Sequence, residues 1–241
     1  ICFQPSKEKE SFEVMQEEIE YSPYLSKVYD FCPAPGQFVN TMPEYEEGDT
    51  KETILKKVEE NISGTNDVMI SLGGYGGYVI FGFDHTVINV KGKKDFMILG
   101  NSFYSDLPEY QEKKGGSCEP GIVMVSFDTN QNGLPDDEWY ELAGSEYYKP
   151  ETVKNYRITY DRPDPDKIPE PDMSQQWSDA TYLSWKDNQG NTGYLPKNVY
   201  HTQSYYPEWY RVSSGRGASR RLLSGVDRGE HLDFYRNQIE G

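Results

Sequence analysis

No apolar run in the chain approaches the roughly 20 residues that a membrane-spanning helix needs, so no membrane span is expected. Positive charge is scarce as well. Lys and Arg number 24 against 40 Asp and Glu, a formal charge of −16. Such a polyanion repels phosphate backbones and anionic headgroups, which argues against nucleic acid and anionic membrane surfaces as partners. Cations and neutral polar ligands are favoured; the plainer reading is an acid excess that keeps the protein soluble. Three cysteines are present, Cys2, Cys32 and Cys118, without metal-ligand spacing. A disulfide from Cys32 to Cys118 is one option. His85, His201 and His231 are too dispersed for zinc, and no His-Glu-x-x-His pattern occurs. Neither a nucleophile elbow nor a local Cys–His pairing marks a covalent catalyst. No signal peptide is visible, and the expectation is a mature or trimmed product. Cys2 stands where a lipoprotein anchor would, but Ile1 before it is not the small residue that such a site needs.

What the chain has in quantity is tyrosine, 20 residues of it, within an aromatic share of 14%. Aromatic side chains bury large areas. A core is therefore within reach although hydrophobic residues make up 35% of the chain. Its 241 residues suit one large β domain or a β domain with a small appendage.

Residues 1–20 are charged and weakly patterned, and 21–38 are aromatic and punctuated by proline, which suggests an irregular packed segment. One amphipathic helix follows, near residues 50–63. Asp49 with Glu52 resembles a capping box, Ile54, Leu55, Val58 and Ile62 share a face, and Gly64 is a natural stop. From residue 68 short β-branched or aromatic runs take over: 68–72, 78–83, 96–99, 122–127, 139–142, 156–160 and 182–185. Glycine-rich turns separate them, Gly73 to Gly77 among them. That series predicts a mostly β fold, an antiparallel β-sandwich of jelly-roll type. The domain division expected is a lead-in at 1–34, a sandwich domain at 35–211, and a tail or shortened final strands at 212–241. The segment 162–172 is rich in Pro and Asp and reads as a long surface loop, a candidate lid.

The sharpest chemical signal runs from Asp128 to Glu138. Calcium takes six to eight oxygen ligands. Asp128, Asn130 and Asn132 alternate, Gly133 permits a tight bend, and the Leu134 carbonyl offers another oxygen. Asp136, Asp137 or Glu138 would close the shell. An EF-hand would place an acid where Trp139 stands, so a strand-to-strand calcium loop fits better. The competing reading is a metal-free loop of Asx turns. A second cluster, residues 200–210, is dense in rings with polar tips. Tyr205, Tyr206 and Trp209 are its candidate ligand-binding residues, against the reading that they are ordinary core. Gly73 to Gly77 lacks the Lys-Ser/Thr ending of a phosphate loop and reads as a turn.

Four stretches carry a resemblance: Ser71-Leu-Gly-Gly-Tyr-Gly-Gly-Tyr-Val-Ile-Phe-Gly-Phe-Asp84, the run 94–103, the run 119–125, and the Asp128 loop continued to Ser145. Together they resemble exported cell-surface proteins of Bacteroides-type gut bacteria, often found beside an immunoglobulin-like PKD repeat. The chain is also similar to anchored exoproteins with a galactose-binding-like jelly roll. The resemblance spans residues 35–210. It implies a lipoprotein or surface-anchored location and a calcium loop at Asp128, Asn130, Asn132 and Asp136. Some members occur near cobalamin-acquisition systems, which implies corrinoid capture for an outer-membrane transporter as a specific possibility. It supplies no catalytic residues. At 227–238 the sequence reads as a compressed version of the family's ending.

The expected function is a non-catalytic, calcium-stabilised module, exported to the cell surface or periplasm, that binds an extracellular ligand such as a glycan. The alternatives are a corrinoid-capturing lipoprotein, a glycoside hydrolase or esterase whose site no motif marks, and a structural adhesion domain. Forty acids always offer some carboxylate pair, and nothing in the sequence singles one out.

Overall fold

A computed structural model of the chain describes residues 20–108, 115–119, 121–210 and 223–224. Residues 1–19 of the lead-in, with Cys2, and nearly all of the 212–241 tail lie outside them. The described chain is mostly β, with one α-helix, and every strand pairing is antiparallel. The strands are β1 (Lys27–Cys32), β2 (Tyr78–Gly82), β3 (Ser102–Tyr104), β4 (Gly116–Cys118), β5 (Met124–Ser126), β6 (Trp139–Glu141), β7 (Ile158–Tyr160), β8 (Trp177–Asp187), β9 (Thr192–Asn198) and β10 (Leu223–Ser224). They form one four-stranded sheet, β10-β7-β8-β9, and three two-stranded ones, β1-β2, β3-β4 and β5-β6. Among the described residues this pairing establishes the β class without laying out the two opposed sheets of a jelly roll.

The helix α1 (Lys51–Ile62) forms because Ile54, Val58 and Ile62 recur every four residues and bury one face. Its start lies one residue from the expected box. Thr50 is the N-cap: the Thr53 N–H donates to Thr50 Oγ1 and the Thr50 N–H to Thr53 Oγ1. Asp49 instead receives the Thr53 hydroxyl and the Lys57 ammonium, each at 2.8 Å. Ser63 caps the end, and Gly64 follows at φ +72°, the left-handed region that favours glycine. Glu59 reaches across to accept the Val28 N–H at 2.8 Å, which ties α1 to β1.

Two core clusters result. Val28 and Phe31 of β1 pack with the buried face of α1 and with Trp209. Ala34, Ile158, Tyr160, Leu183 and Tyr206 form the second. Tyr210 packs against both. A seam of hydrogen bonds joins the early chain to the late chain. The Gly36 N–H donates to the Tyr205 carbonyl at 2.8 Å. Buried Asn40 donates through Nδ2 to the carbonyls of Ser204 (2.7 Å) and Tyr206 (2.9 Å), and its Oδ1 accepts the Glu208 N–H at 2.9 Å.

Several expectations change here. The segment 21–38, read as irregular, contains β1. Val28 pairs with Phe81 and Asp30 with Ile80, so Tyr29 is a bulge, and the bulge breaks the two-residue alternation that would have signalled a strand. The run 68–72 makes single bonds, Ala34 N–H to the Leu72 carbonyl and Ser71 N–H to the Met42 carbonyl, rather than a ladder. The run 96–99 is not a strand, and Met97 and Leu99 are exposed. Strand propensity describes fit to a pleated, half-buried surface, and no partner strand supplies that surface among the described residues. Cys32 is a free thiol among the described residues, and its Sγ accepts the Tyr210 hydroxyl at 3.0 Å; the Cys118 side chain lies outside them.

The loop after β7 is pinned rather than loose. Asp179, buried in β8, accepts Lys167 through both oxygens at 2.8 and 2.9 Å and the N–H groups of Glu170 and Thr181 at 3.1 Å. Burial pushes this carboxyl upward, but Lys167 and the two N–H groups outweigh burial and hold it below its ordinary value. Asp30 is held low in the same way, burial being outweighed by the Tyr78 hydroxyl and Lys51. Asp49 is lowered chiefly by its bond to Lys57. These depressed groups stay ionised in the fold where the unfolded chain already takes up protons. Their stabilisation is complete above about pH 4, the ordinary carboxyl range. It is lost as pH falls through the folded-state values. Urea midpoints measured from pH 7 to pH 3 are expected to drop below about pH 4. The drop should be shallower in Asp179→Asn than in the parent; equal acid limbs in the two would show that Asp179 contributes nothing.

Candidate metal centre

Residues 127–138 close the hairpin between β5 and β6, whose register sets Ser126 opposite Trp139. The closure follows from the loop's own side chains. Asp128 accepts the Asn132 N–H at 3.1 Å through Oδ1 and the Gly133 N–H at 2.8 Å through Oδ2. Asn130 Oδ1 also accepts the Asn132 N–H, at 2.9 Å, and Asn132 Oδ1 accepts the Leu134 N–H at 2.8 Å. These are successive Asx turns. Gly133 bends at φ +73°, and Gln131 adopts φ +58° between the two asparagines. The Asp136 carboxylate then faces the carboxamides, 3.4 Å from Asn130 Nδ2 and 3.0 Å from Asn132 Nδ2.

The geometry sorts the predicted ligands. Hydrogen bonds tie Asp128, Asn130, Asn132 and Asp136 into one turn, with the amide oxygens on backbone N–H groups and the amide nitrogens toward Asp136. Leu134 contributes its N–H to that turn, and its side chain is exposed. Asp137 turns away and accepts the Thr129 N–H at 3.2 Å and the Thr129 hydroxyl. Glu138 also leaves the ring: it accepts the Tyr140 hydroxyl at 2.5 Å, and this bond raises the Tyr140 phenol above its ordinary value. Thr129 thus selects which of the neighbouring acids faces inward. The two residues stand eight positions apart, so nothing local in the sequence marks the pairing. Trp139 buttresses the bend, with Nε1 donating to the Pro135 carbonyl at 3.4 Å.

The donor set is two carboxylates and two carboxamides, all hard oxygen ligands of the kind calcium takes. Among the described residues no three His, Cys, Asp or Glu side chains are gathered to hold an ion by themselves. A cation here therefore needs the amide oxygens as well as the acids. That composition fits calcium and does not fit zinc, which takes nitrogen and sulfur ligands.

The aromatic cluster is corrected. Tyr205, Tyr206 and Trp209 are 1%, 3% and 7% exposed, so their rings are core and present no face to a ligand. Tyr205 packs edge-on against Tyr182 with centroids 5.5 Å apart, and Trp209 stacks on Phe31 at 6.3 Å. Each ring fills a gap between elements distant in sequence. His85 is paired with Asp84 at 2.7 Å and lies 5.0 Å from the Tyr21 ring. His201 packs edge-on against Phe38 at 4.7 Å. Asn40 is the polar residue that sequence reasoning missed. A single asparagine between Val39 and Thr41 carries no local signal of its three long-range bonds. No protein-family model matches the chain, and no curated protein matches it.

Proposed function

We propose that this chain is a non-catalytic, exported module of the cell exterior whose 128–136 loop is fixed by calcium, and that it binds an extracellular glycan. The hydrogen bonds that gather Asp128, Asn130, Asn132 and Asp136 into one exposed turn support the calcium part and carry the reading; binding would need the two amides to turn their oxygens inward. The loop is solvent-exposed and its inner ring has only two acids. Both features suit the weak sites, about 10⁻⁴–10⁻³ M, of extracellular modules. The ion would join β5 to β6 where few apolar contacts do so. Glycan binding falls to surfaces other than Tyr205, Tyr206 and Trp209.

Two measurements test the ion. Binding at 100 times Kd stabilises by about 2.7 kcal/mol. For a chain of this size about 2–4 °C of Tm accompanies each kcal/mol, so melting in 10 mM calcium rather than EGTA is expected to rise by about 5–10 °C. Terbium should give sensitised emission through Trp139, displaced by calcium and abolished in Asp128→Ala. Identical melts together with no displaceable terbium emission would remove the calcium reading.

A further inference from the structure

Strand β9 ends the four-stranded sheet, and beside it lies an open depression of about 230 Å³. The pairing explains its chemistry. Ser184 pairs with Tyr194 and Lys186 with Thr192, while the Asp161 N–H donates to the Ser184 carbonyl at 2.9 Å. Alternate positions of a strand share a face, so Asp161, Ser184 and Tyr194 form one row and Lys186 with Thr192 the next. The Ser184 hydroxyl donates to Asp161 Oδ2 at 2.8 Å, which fixes the carboxylate against the row. Leu183 and Leu195 point to the opposite, core side. Trp185 packs there too, and Gly193 has no side chain because a Cβ would lie 2.6 Å from the indole. Trp185 and Gly193 complete the lining between the two rows.

We propose that this depression is a subsite for one neutral sugar ring; the proposal rests on the glycan-binding reading and gives it a location. Asp161 accepts hydroxyl protons, Lys186 donates, and Ser184 and Thr192 do either. No ion pair joins Asp161 to Lys186 among the described residues, so neither charge is neutralised by the other. A polyol matches this mixed set. An anionic ligand meets the chain's −16 charge, and a cationic one meets Lys186. Tyr194, 55% exposed, stands at the rim as a ring with a polar tip, the kind of side chain that packs on the apolar face of a pyranose. The volume lies below the ~300–1,000 Å³ of drug-sized sites, so it admits one ring and not a corrin. Among the described residues β9 is the last strand of the sheet, which leaves the Tyr194 side open to the rest of a glycan chain.

The test uses the whole chain with methyl glucoside, methyl galactoside and methyl mannoside at 5 mM, read by saturation-transfer NMR, alongside retention on a glycan array. Transfer to at least one glycoside is expected, reduced at least tenfold in Tyr194→Ala and in Asp161→Asn, with melting unchanged in the first. Array retention that survives both substitutions would overturn this subsite while leaving glycan binding intact. No transfer and no retention with the unmodified chain would overturn both. Cyanocobalamin binding, seen as a visible-spectrum shift equal in parent and variants and without transfer to any glycoside, would overturn the subsite in favour of a corrinoid surface elsewhere.

Discussion

Replacing Trp209 with alanine is expected to destabilise the fold by about 3–5 kcal/mol, the range for removing a large buried aromatic. Trp209 contacts Phe31, Tyr45 and Tyr210 with centroid separations of 6.3, 6.4 and 5.8 Å and closes the cluster under α1. Truncation leaves a cavity bounded by β1 and the helix, whose positions are fixed by their own bonds, so collapse recovers little. At about 2–4 °C per kcal/mol the melting temperature should fall by about 6–20 °C. Trp209→Phe should cost less, because the indole N–H has no hydrogen-bond partner among the described residues. Guanidinium midpoints of the two variants give the comparison. A Trp209→Ala protein that melts like the parent but loses glycan retention would return this ring to the surface and refute the core assignment.

Asn40→Ala is expected to cost about 2–4 kcal/mol. The substitution removes the Asn40 partner of the Ser204 carbonyl and of the Glu208 N–H, while the Tyr206 carbonyl keeps the Ser204 hydroxyl at 3.2 Å. Each buried polar group left without a partner costs about 1–3 kcal/mol, and entry of water recovers part of the sum. Asn40→Asp should be worse near neutral pH. It keeps the acceptor for Glu208 but sets a carboxylate against two carbonyl oxygens at a position 8% exposed. Its folded pKa must rise, so the penalty relative to the parent should shrink as pH falls and the group protonates. Urea midpoints at pH 7 and pH 4.5 read this out. An Asn40→Asp variant as stable as the parent at both would mean that the seam does not depend on the donors of this side chain.

What could be read from the sequence followed local chemistry. The α1 face was legible because Ile54, Val58 and Ile62 repeat with the helical period, and its start was missed by one residue because Asp49 and Thr50 both have capping side chains. The strands β2 and β6 were legible as compact β-branched or aromatic runs. Tyr29 hid β1, since a bulge shifts the buried positions to 28 and 31, a spacing that reads as neither strand nor helix. The candidate metal loop was legible residue by residue, because its turns are made by side chains acting within five positions. Its choice between Asp136 and Asp137 was not, because Thr129 makes that choice from the far side of the loop. The fate of Tyr205, Tyr206 and Trp209 was beyond local reading. A tyrosine on a ligand-facing surface and one in a core have the same neighbours in sequence, and residues from Tyr182 back to Phe31 decide between them.

The seam at Asn40 also sets a timetable. Glu208 lies 168 residues downstream of the asparagine it bonds. At synthesis rates of about 5–20 residues per second, β1 and α1 wait roughly ten to thirty seconds before the ring that covers Phe31 exists. Throughout that interval Val28, Phe31, Ile54 and Val58 form a sticky half-interface on a nascent chain. A holding chaperone would find its binding stretch there, within residues 28–62, and would be displaced by the arrival of Trp209.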